Sequence, residues 1–287
     1  MDSPKDPTNP CGLCPRACGA HRKIGNKGEC GAGDEIRLAS ATVHRGEEPP
    51  ISGANGSATF FFSNCTLSCL FCQNYPISQL AYGKLVSVEE MARRMLVLAG
   101  RGVHNINIVT GTQYATHIID AVSLARSQGL ELPIVWNTSG YETQRTIDML
   151  AGTVDIYLTD IKYADNEIAT TCSNAPRYFE IATRAAKRML EQVGTLEVDS
   201  NGIGIKGVII RHLVLPAGLS GTRRVMRFIA EELGLEVPVS VMGQYFPSYR
   251  ATELEATSRQ LTTEEYRQAR QDVLAAGIER GWFQDNY

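Results

Sequence analysis

The chain has 287 residues, of which 43% are hydrophobic, enough to bury the core of one large domain together with a small appendage. Its formal net charge is only −3, and the acidic and basic residues are interspersed along the sequence. This distribution argues against a nucleic-acid-binding surface and against an anionic membrane as the partner.

The chain begins with "MDSPKDPTNP", which has neither the basic region nor the apolar region of a signal peptide. No later stretch approaches the length of an apolar membrane span. We therefore expect a cytoplasmic protein with no membrane partner. In that reducing compartment, the eight cysteines are expected to bind metals or clusters rather than to form disulfides.

Four cysteines lie in the first part of the chain, in "CGLCPRAC" (11–18) and at Cys30. Cys11, Cys14, Cys18 and Cys30 have the spacing C-x2-C-x3-C-x11-C, which is a closed set of four thiolates. Such a set suits either a structural zinc ion or an auxiliary [4Fe–4S] cluster, and the tight triplet favours the cluster slightly. We expect residues 1–56 to form a separate cysteine-rich, metal-binding element.

From residue 57 onwards, short apolar runs alternate with segments of helical periodicity. Continuous apolar runs of this length are typical of parallel strands that are covered on both faces. The predicted strands are 57–64, 105–111, 133–140, 154–161, 207–216 and 237–245, and the predicted helices are 87–100, 115–128, 142–151, 177–192, 222–233 and one that begins near residue 262. This alternation predicts an α/β fold, a partial parallel (βα)6 TIM-like barrel over residues 57–287 that ends in a C-terminal helix.

In such a barrel the functional groups lie at the carboxyl ends of the strands. Polar residues follow five of the predicted strands at that point, at 110–113, 137–141, 159–163, 211–216 and 242–245. A purely structural barrel would not need so many, so their convergence predicts a binding pocket.

The first predicted strand runs into "FFFSNCTLSCLFCQNYPIS" (60–78), in which Cys65, Cys69 and Cys72 have the spacing C-x3-C-x2-C. Three thiolates can hold three irons of a [4Fe–4S] cluster and leave the fourth iron open to another ligand. A structural zinc site would normally need a fourth protein ligand. Phe71, just before the last cysteine, offers an aromatic ring to a bound planar group.

This cysteine motif at the end of the first barrel strand resembles the radical S-adenosylmethionine (SAM) superfamily. The segments "WNTSGY", "GTVDIYLTDIKY" and "GVIIRHLVLPAG" resemble the pyruvate formate-lyase activating enzymes. In addition, "HRGEEPPISG", "CQNYPIS" and "HNINIVTGTQY" are similar to a less characterised branch of homologues of those enzymes.

The resemblance implies that Cys65, Cys69 and Cys72 ligate a [4Fe–4S] cluster and that SAM chelates the fourth iron. Reductive cleavage of SAM would then give a 5′-deoxyadenosyl radical that abstracts hydrogen from a substrate. The family usually has a Gly-Gly-Glu motif at the second strand end, whereas this chain has Thr110, Gly111, Thr112 and Gln113.

The resemblance also assigns roles at the later strand ends. Asn137, Thr138 and Ser139 would approach the methionine or ribose part of SAM. Asp160 would help to hold a monovalent cation, and Lys162 would add positive charge. Arg211 and His212 occupy the fifth strand end.

Two kinds of function remain open. The first is a radical enzyme, which would be either an activase that makes a glycyl radical on a partner protein or an enzyme that modifies a peptide or a small molecule. It would need an electron donor such as flavodoxin or ferredoxin. The second is a metal-bearing protein that binds nucleic acid or modifies RNA.

A few further residues are interpreted from position alone, and no catalytic residue is assigned. Cys172 is expected at a helix end as an inert buried thiol, or less readily as a radical relay. His44 with Glu47 or Glu48 is expected over the mouth of the barrel. Tyr141, Tyr163 and Gln244 are expected at the substrate end of the pocket.

Overall fold

The computed structural model describes residues 10–284, and the "MDSPKDPTNP" segment therefore lies almost entirely outside the described residues. One sheet contains nine strands in a continuous path, and a short tenth strand pairs with its longest member. The strands are β1 (Ile36–His44), β2 (Ser57–Phe62), β3 (Lys84–Val86), β4 (Ile106–Val109), β5 (Ile134–Thr138), β6 (Ile156–Asp160), β7 (Glu197–Val198), β8 (Gly204–Leu213), β9 (Val239–Met242) and β10 (Gly281–Gln284).

The sheet order is β10-β9-β8-β6-β5-β4-β2-β1-β3, and the run from β10 to β2 is parallel throughout. The six predicted strands are β2, β4, β5, β6, β8 and β9, and the predicted partial barrel is confirmed. All five residues of β5 and all four of β9 are buried, as expected for strands covered on both faces. β1 and β3 are antiparallel additions at the β2 edge, and β10 is an additional parallel strand.

Helices follow the strands and cover the outside of the sheet. They are α1 (Pro49–Ser52), α2 (Tyr75–Ser78), α3 (Val88–Ala99), α4 (Ala115–Ser127), α5 (Gln144–Met149), α6 (Asn166–Ser173), α7 (Tyr178–Val193), α8 (Thr222–Phe228) and α9 (Thr263–Ala275). Each predicted helix is present. No range is predicted for α6, although Cys172 is expected at a helix end, and the short helices α1 and α2 are unpredicted additions. Within residues 10–284, none of the helices has the length and apolarity needed to cross a bilayer.

Local sequence signals explain where two of these helices begin. The Thr262 hydroxyl accepts a hydrogen bond from the Glu265 N–H, and the Glu265 carboxylate accepts one from the Thr262 N–H, so α9 begins with a complete capping box. The Ser87 hydroxyl likewise accepts from the Glu90 N–H at the start of α3. The Glu90 carboxylate instead accepts hydrogen bonds from Arg93 and Arg94, so the second half of that box is missing.

Three groups of buried side chains hold the fold together. The largest packs between the sheet and the surrounding helices, and it includes Trp136 and Met189. A second group surrounds the cysteine loop, which we define as residues 64–72. The third fills the amino end of the barrel interior, where Ile51 of α1 packs against residues of β5, β6 and β8.

Candidate active site

A cavity of about 500 Å³ lies inside the barrel at the carboxyl ends of the parallel strands. Its size lies within the usual range for a small-molecule site. The predicted site residues that line it are Cys65, Cys69, Phe71, Cys72, Thr110, Asn137, Thr138, Ser139, Asp160, Lys162 and Arg211. The structure therefore brings together residues that are spread over almost 150 positions of the sequence.

The cysteine loop is held in place by backbone hydrogen bonds to α6. The Ser68 N–H donates to the Ser173 carbonyl (3.0 Å), and the Leu70 N–H donates to the Cys172 carbonyl (2.8 Å). The Ser173 hydroxyl also donates to Cys69 Sγ at 3.0 Å. Asn64 enters the loop with φ of 71°, in the left-handed region that Asn tolerates better than most residues. The loop therefore presents its thiols on a fixed backbone.

The three thiols form a donor set that fits an iron–sulfur cluster with one open iron. All three line the same cavity, whose wall combines polar side chains of the strand ends with apolar ones such as Phe61, Leu213 and Met242. Burial raises the pKa of Cys65 above its usual value and that of Cys69 to about 11, although Lys162 opposes the rise at Cys69. Coordination would therefore release protons from these thiols.

The end of β4 combines backbone strain with close packing. Thr110 has φ of 58°, which is uncommon for a β-branched residue and typical of functional sites. A side chain at Gly111 would come within 3.0 Å of Ile108, Ile118 and Trp136, so only glycine fits there. Gly111 and Thr112 are not among the cavity-lining residues; they lie behind the wall that Thr110 forms.

Gln113 ties the cysteine loop to the end of β4. Its side-chain amide donates to the carbonyl oxygens of Ser63 and Asn64, both at 3.1 Å, and to that of Thr110 at 2.8 Å. These bonds fix the distance between the thiols and the strand end that faces them.

Glu142 is a buried carboxylate that the sequence did not single out. One of its oxygens accepts hydrogen bonds from the Thr112 and Thr138 hydroxyls, both at 2.7 Å, and from the Trp136 indole at 3.2 Å. The other oxygen is buried with no hydrogen-bond partner in the described chain. Burial raises the pKa of Glu142. Thr138 lines the cavity, so Glu142 supports the cavity wall from behind.

Asp160 and Lys162 form an ion pair at the end of β6, and their side chains are only 13% and 15% exposed. They are therefore not an ordinary solvated surface pair. Burial alone would lower the pKa of Lys162, but the charges of Asp160 and Cys69 outweigh it and raise that pKa. The pair faces the cavity next to the cysteine loop.

Arg211 forms a buried cluster with Glu47 and Glu48. Its guanidinium donates two hydrogen bonds to the Glu48 carboxylate, at 2.7 and 2.6 Å, and a further one to Glu47. Glu47 also accepts from the Asn107 amide at 2.9 Å. The Glu48 side chain is fully buried and that of Glu47 is 8% exposed.

The segment that carries these glutamates lies at the floor of the cavity, so the interpretation that placed it over the mouth is wrong. His44 pairs with Ser57, the first residue of β2. The Asn105 amide, just before β4, donates to the Ile51 carbonyl at 2.7 Å. Both contacts are at the amino ends of the barrel strands, and the segment reaches upward only through Glu47 and Glu48.

His212 is fully buried and does not line the cavity. Its Nδ1 donates to the Ile161 carbonyl (2.7 Å), and its Nε2 accepts from the Thr222 hydroxyl (3.0 Å). Burial lowers the pKa of His212 to about 4, so the ring is neutral. It joins β8 to β6 and to the start of α8.

The residues interpreted from position alone have different locations. Gln244 lines the cavity, whereas Tyr141 and Tyr163 are buried beside it. Cys172 lies at the end of α6, as expected, and is fully buried.

The N-terminal cysteines lie outside the cavity, because no residue between 10 and 35 lines it. Cys11 and Cys14 are buried, Cys30 is partly buried and Cys18 is exposed. The Leu13 carbonyl accepts a hydrogen bond from the Thr146 hydroxyl at 2.5 Å, which attaches the element to α5.

Comparison with known proteins agrees with this architecture. The sequence profile of the Radical SAM superfamily matches residues 59–214, which is more than half of the chain. An uncharacterized protein of Methanocaldococcus jannaschii is 32% identical over 270 residues, covering 90% of this chain and 72% of that protein. The pyruvate formate-lyase-activating enzyme of Clostridium pasteurianum is 27% identical over 188 residues, covering 63% of this chain and 70% of the enzyme.

Solved structures show the same fold. The crystal structure of Streptococcus suis SuiB bound to S-adenosylmethionine superposes with a TM-score of 0.53 at 13% sequence identity. The match covers 78% of this chain but only 48% of SuiB, so this chain spans about half the length of that protein. The fold and the profile match together establish that the chain belongs to the radical SAM superfamily.

Proposed function

We propose that this protein cleaves SAM reductively at a [4Fe–4S] cluster held by Cys65, Cys69 and Cys72, and abstracts hydrogen from a substrate. The observation that carries the proposal is that these three thiols line one cavity together with the polar ends of β4, β5, β6 and β8. When bound, the cluster supplies the electron that breaks the sulfonium bond to give a 5′-deoxyadenosyl radical.

The chain's own residues would bind, orient and shield the reacting groups. Ser173 would donate its hydroxyl to the Cys69 thiolate, and Ser78 lies 3.2 Å from Cys72 Sγ. Such contacts orient ligands and tune a metal centre. Phe71 lies in an edge-to-face contact with Tyr245, so its ring is fixed beside the thiols.

We further propose that Thr110 and the Asn137–Ser139 strand end bind SAM, with Asp160, Lys162 and Arg211 nearby. Gly111, Thr112 and His212 would act behind the wall by holding the strand ends in place. A monovalent cation beside Asp160 would have to compete with the ammonium group of Lys162, which already occupies that carboxylate.

The substrate is either a residue of a protein or peptide, as for an activase, or a small molecule. Because SAM would take much of a cavity of about 500 Å³, only a small molecule or one side chain of a larger substrate would fit beside it. The Gln73 amide donates to the Gln244 carbonyl at 3.2 Å across the rim, so this contact would have to open for a bulky substrate. An electron donor such as flavodoxin or ferredoxin would complete the reaction.

The test is cleavage of SAM by anaerobically reconstituted protein with dithionite, measured as 5′-deoxyadenosine. Cys69→Ala should abolish cleavage, whereas Cys172→Ala should retain it, because Cys172 is buried outside the cavity. Cleavage by Cys69→Ala at the wild-type rate would refute the cluster assignment. Retained cleavage of SAM with loss of substrate turnover in Cys172→Ala would instead favour a relay role for that thiol.

A further inference from the structure

The four N-terminal cysteines form one compact group. The Sγ atoms of Cys18 and Cys30 lie 3.5 and 3.2 Å from the point where a side chain at Gly28 would begin. The Gly19 N–H, next to Cys18, donates to the Cys11 carbonyl at 3.1 Å, and the Ala17 N–H donates to the Cys14 carbonyl at 3.0 Å. Gly28 thus leaves open a space beside the thiols of Cys18 and Cys30.

A buried cation accompanies this group. The Arg22 side chain is 2% exposed, and its Nη1 lies 4.0 Å from Cys11 Sγ. Its other described hydrogen bonds go to the carbonyl oxygens of Gly33 and Gln113 rather than to a carboxylate. A buried guanidinium needs a compensating negative charge, and a thiolate-bound metal centre would provide it.

The arrangement of the thiols favours a cluster over a single zinc ion. Within residues 10–284, no three His, Cys, Asp or Glu side chains are grouped so as to hold a single metal ion. This is true of the N-terminal group and equally of Cys65, Cys69 and Cys72. Zinc draws its sulfurs to about 2.3 Å from one ion, whereas a cluster offers a separate iron to each thiolate and keeps them further apart.

The N-terminal group contacts the cysteine loop on both sides of Cys65. Arg16, between Cys14 and Cys18, donates its Nε to the Thr66 carbonyl at 2.6 Å. Gly31, next to Cys30, has the Asn64 amide 2.7 Å from the point where its side chain would begin. Asn64 and Thr66 are the direct neighbours of Cys65 in the chain.

A row of buried tyrosines makes a second connection between the two thiol groups. Ser173, which donates to Cys69, shares a 2.6 Å hydrogen bond with the Tyr163 hydroxyl. The Tyr163 ring lies 5.4 Å from that of Tyr178, which lies 6.2 Å from that of Tyr141. Thr143, two residues after Tyr141, donates its hydroxyl to the carbonyl of Leu13, the neighbour of Cys14, at 3.4 Å. All three tyrosines are buried, so the row is packed from Ser173 to the segment that contacts the N-terminal group.

We propose that Cys11, Cys14, Cys18 and Cys30 bind a second iron–sulfur cluster, which passes electrons to the site of Cys65, Cys69 and Cys72. One electron leaves the N-terminal site and enters the cysteine-loop site, and a low-potential protein donor or dithionite then replaces it. The tyrosines serve as a packed bridge and are not themselves reduced. The electron-transfer role rests on the proposed function, whereas the metal site does not.

The location of the group favours electron supply over contact with substrate. No residue between 10 and 35 lines the cavity, so a substrate in the cavity would not touch this centre. Cys18 is exposed, which leaves this side of the group open to an external donor.

The first experiment measures iron, sulfide and zinc in the anaerobically reconstituted full chain. Wild type should hold about eight irons, and a variant with Ala at all four N-terminal cysteines about four. Cys18→Ala changes only an exposed thiol and leaves three ligands, so its iron should be lost to a chelator faster than that of wild type, which guards against misfolding of the fourfold variant. Unchanged iron with loss of zinc, or no metal lost at all, would overturn the proposal.

Replacing Cys65, Cys69 and Cys72 by Ala separates this result from the proposed function. That variant should keep about four irons. If it keeps as much iron as wild type, the cysteine loop holds no cluster and the proposed function fails, while the N-terminal assignment stands.

The second experiment tests the connection. In the fully reduced wild type, the electron paramagnetic resonance signal should be broadened by interaction of two spins, and each Ala variant should give one simple signal. Tyr141→Leu should slow reduction of the cysteine-loop site by a protein donor about tenfold, and Tyr141→Phe, which keeps the ring, should not. Two independent signals in wild type, or equal rates in both Tyr141 variants, would overturn the relay.

Discussion

Arg211 is the only cation in the described cluster with Glu47 and Glu48, so its removal should have a large and pH-dependent effect. Arg211→Met would leave Glu47, whose side chain is 8% exposed, and Glu48, whose side chain is fully buried, without this cation. Removing one partner of a buried ion pair costs about 3–5 kcal/mol. For a chain of this length, that corresponds to a fall of roughly 6–10 °C in Tm at pH 7.5.

The pH dependence follows from Glu48. Burial alone would raise the pKa of Glu48, but Arg211 holds it below its usual value. Without Arg211, burial would raise the folded pKa of Glu48 above its unfolded value, so stability would be lost as pH rises through it. The deficit of Arg211→Met should therefore be largest at pH 7.5 and smaller at pH 5.

Thermal unfolding of anaerobically purified protein, followed by circular dichroism at both pH values, measures this effect. Glu47→Gln is the matched control: Arg211 keeps Glu48, and the amide can still accept a hydrogen bond, so the cost should be about 1 kcal/mol or less. An unchanged Tm of Arg211→Met at pH 7.5, or a deficit that grows on acidification, would refute the reasoning.

Three further variants test other parts of the structure. Ile51→Ala empties part of the barrel floor and should lower the free energy of unfolding by about 3 kcal/mol, measured by chemical denaturation. Ile24→Ala, at a 76% exposed position, should change that free energy little. Equal effects of the two substitutions would contradict the packing. Because the folded pKa of His212 is lowered to about 4, wild type should lose stability as pH falls below 6.5, by about 2 kcal/mol at pH 5. His212→Asn should not show this loss, so parallel pH profiles of the two proteins would contradict the expectation. Ser173→Ala removes a hydrogen bond to Cys69 Sγ and should lower the midpoint potential of the cluster proposed there by roughly 50 mV in a redox titration. An unchanged potential would contradict this expectation.

The sequence predicts the barrel well because its strands are short, apolar and covered on both faces. β5 and β9 have this pattern over every residue. The strands that it missed are of a different kind. β3 has three residues, two of them exposed, and is defined by pairing with β1 rather than by its own composition. The predicted boundary at residue 56 stays a prediction, although β1 and β2 are hydrogen-bonded across it.

The floor of the cavity could not be predicted, because the stability of its charged residues depends on a distant partner. "HRGEEPP" has the composition of a solvated loop, and a buried Glu48 in isolation would be unfavourable. It is buried because Arg211, 163 residues further along the chain, donates two hydrogen bonds to it. Glu142 was missed for the same reason, since its contact with Thr112 is made only in the folded barrel.

The family usually has a glutamate in its Gly-Gly-Glu motif, whereas the corresponding segment of this chain, Thr110–Gln113, carries no carboxylate. The folded site nevertheless contains carboxylates. Glu142 lies directly behind Thr112 and Thr138, and Glu47 forms part of the cavity floor. The charged groups that line or support the floor and the β6 end are two cations and three carboxylates, Arg211 and Lys162 against Glu47, Glu48 and Asp160. Their balance is one negative charge, and Glu142, behind the β4 and β5 ends, is not part of this set. SAM, the ligand proposed above, carries a sulfonium and an ammonium group against one carboxylate, and this balance complements its one net positive charge. The site would thus achieve through its tertiary structure the electrostatic match that the family motif usually provides at a single strand end.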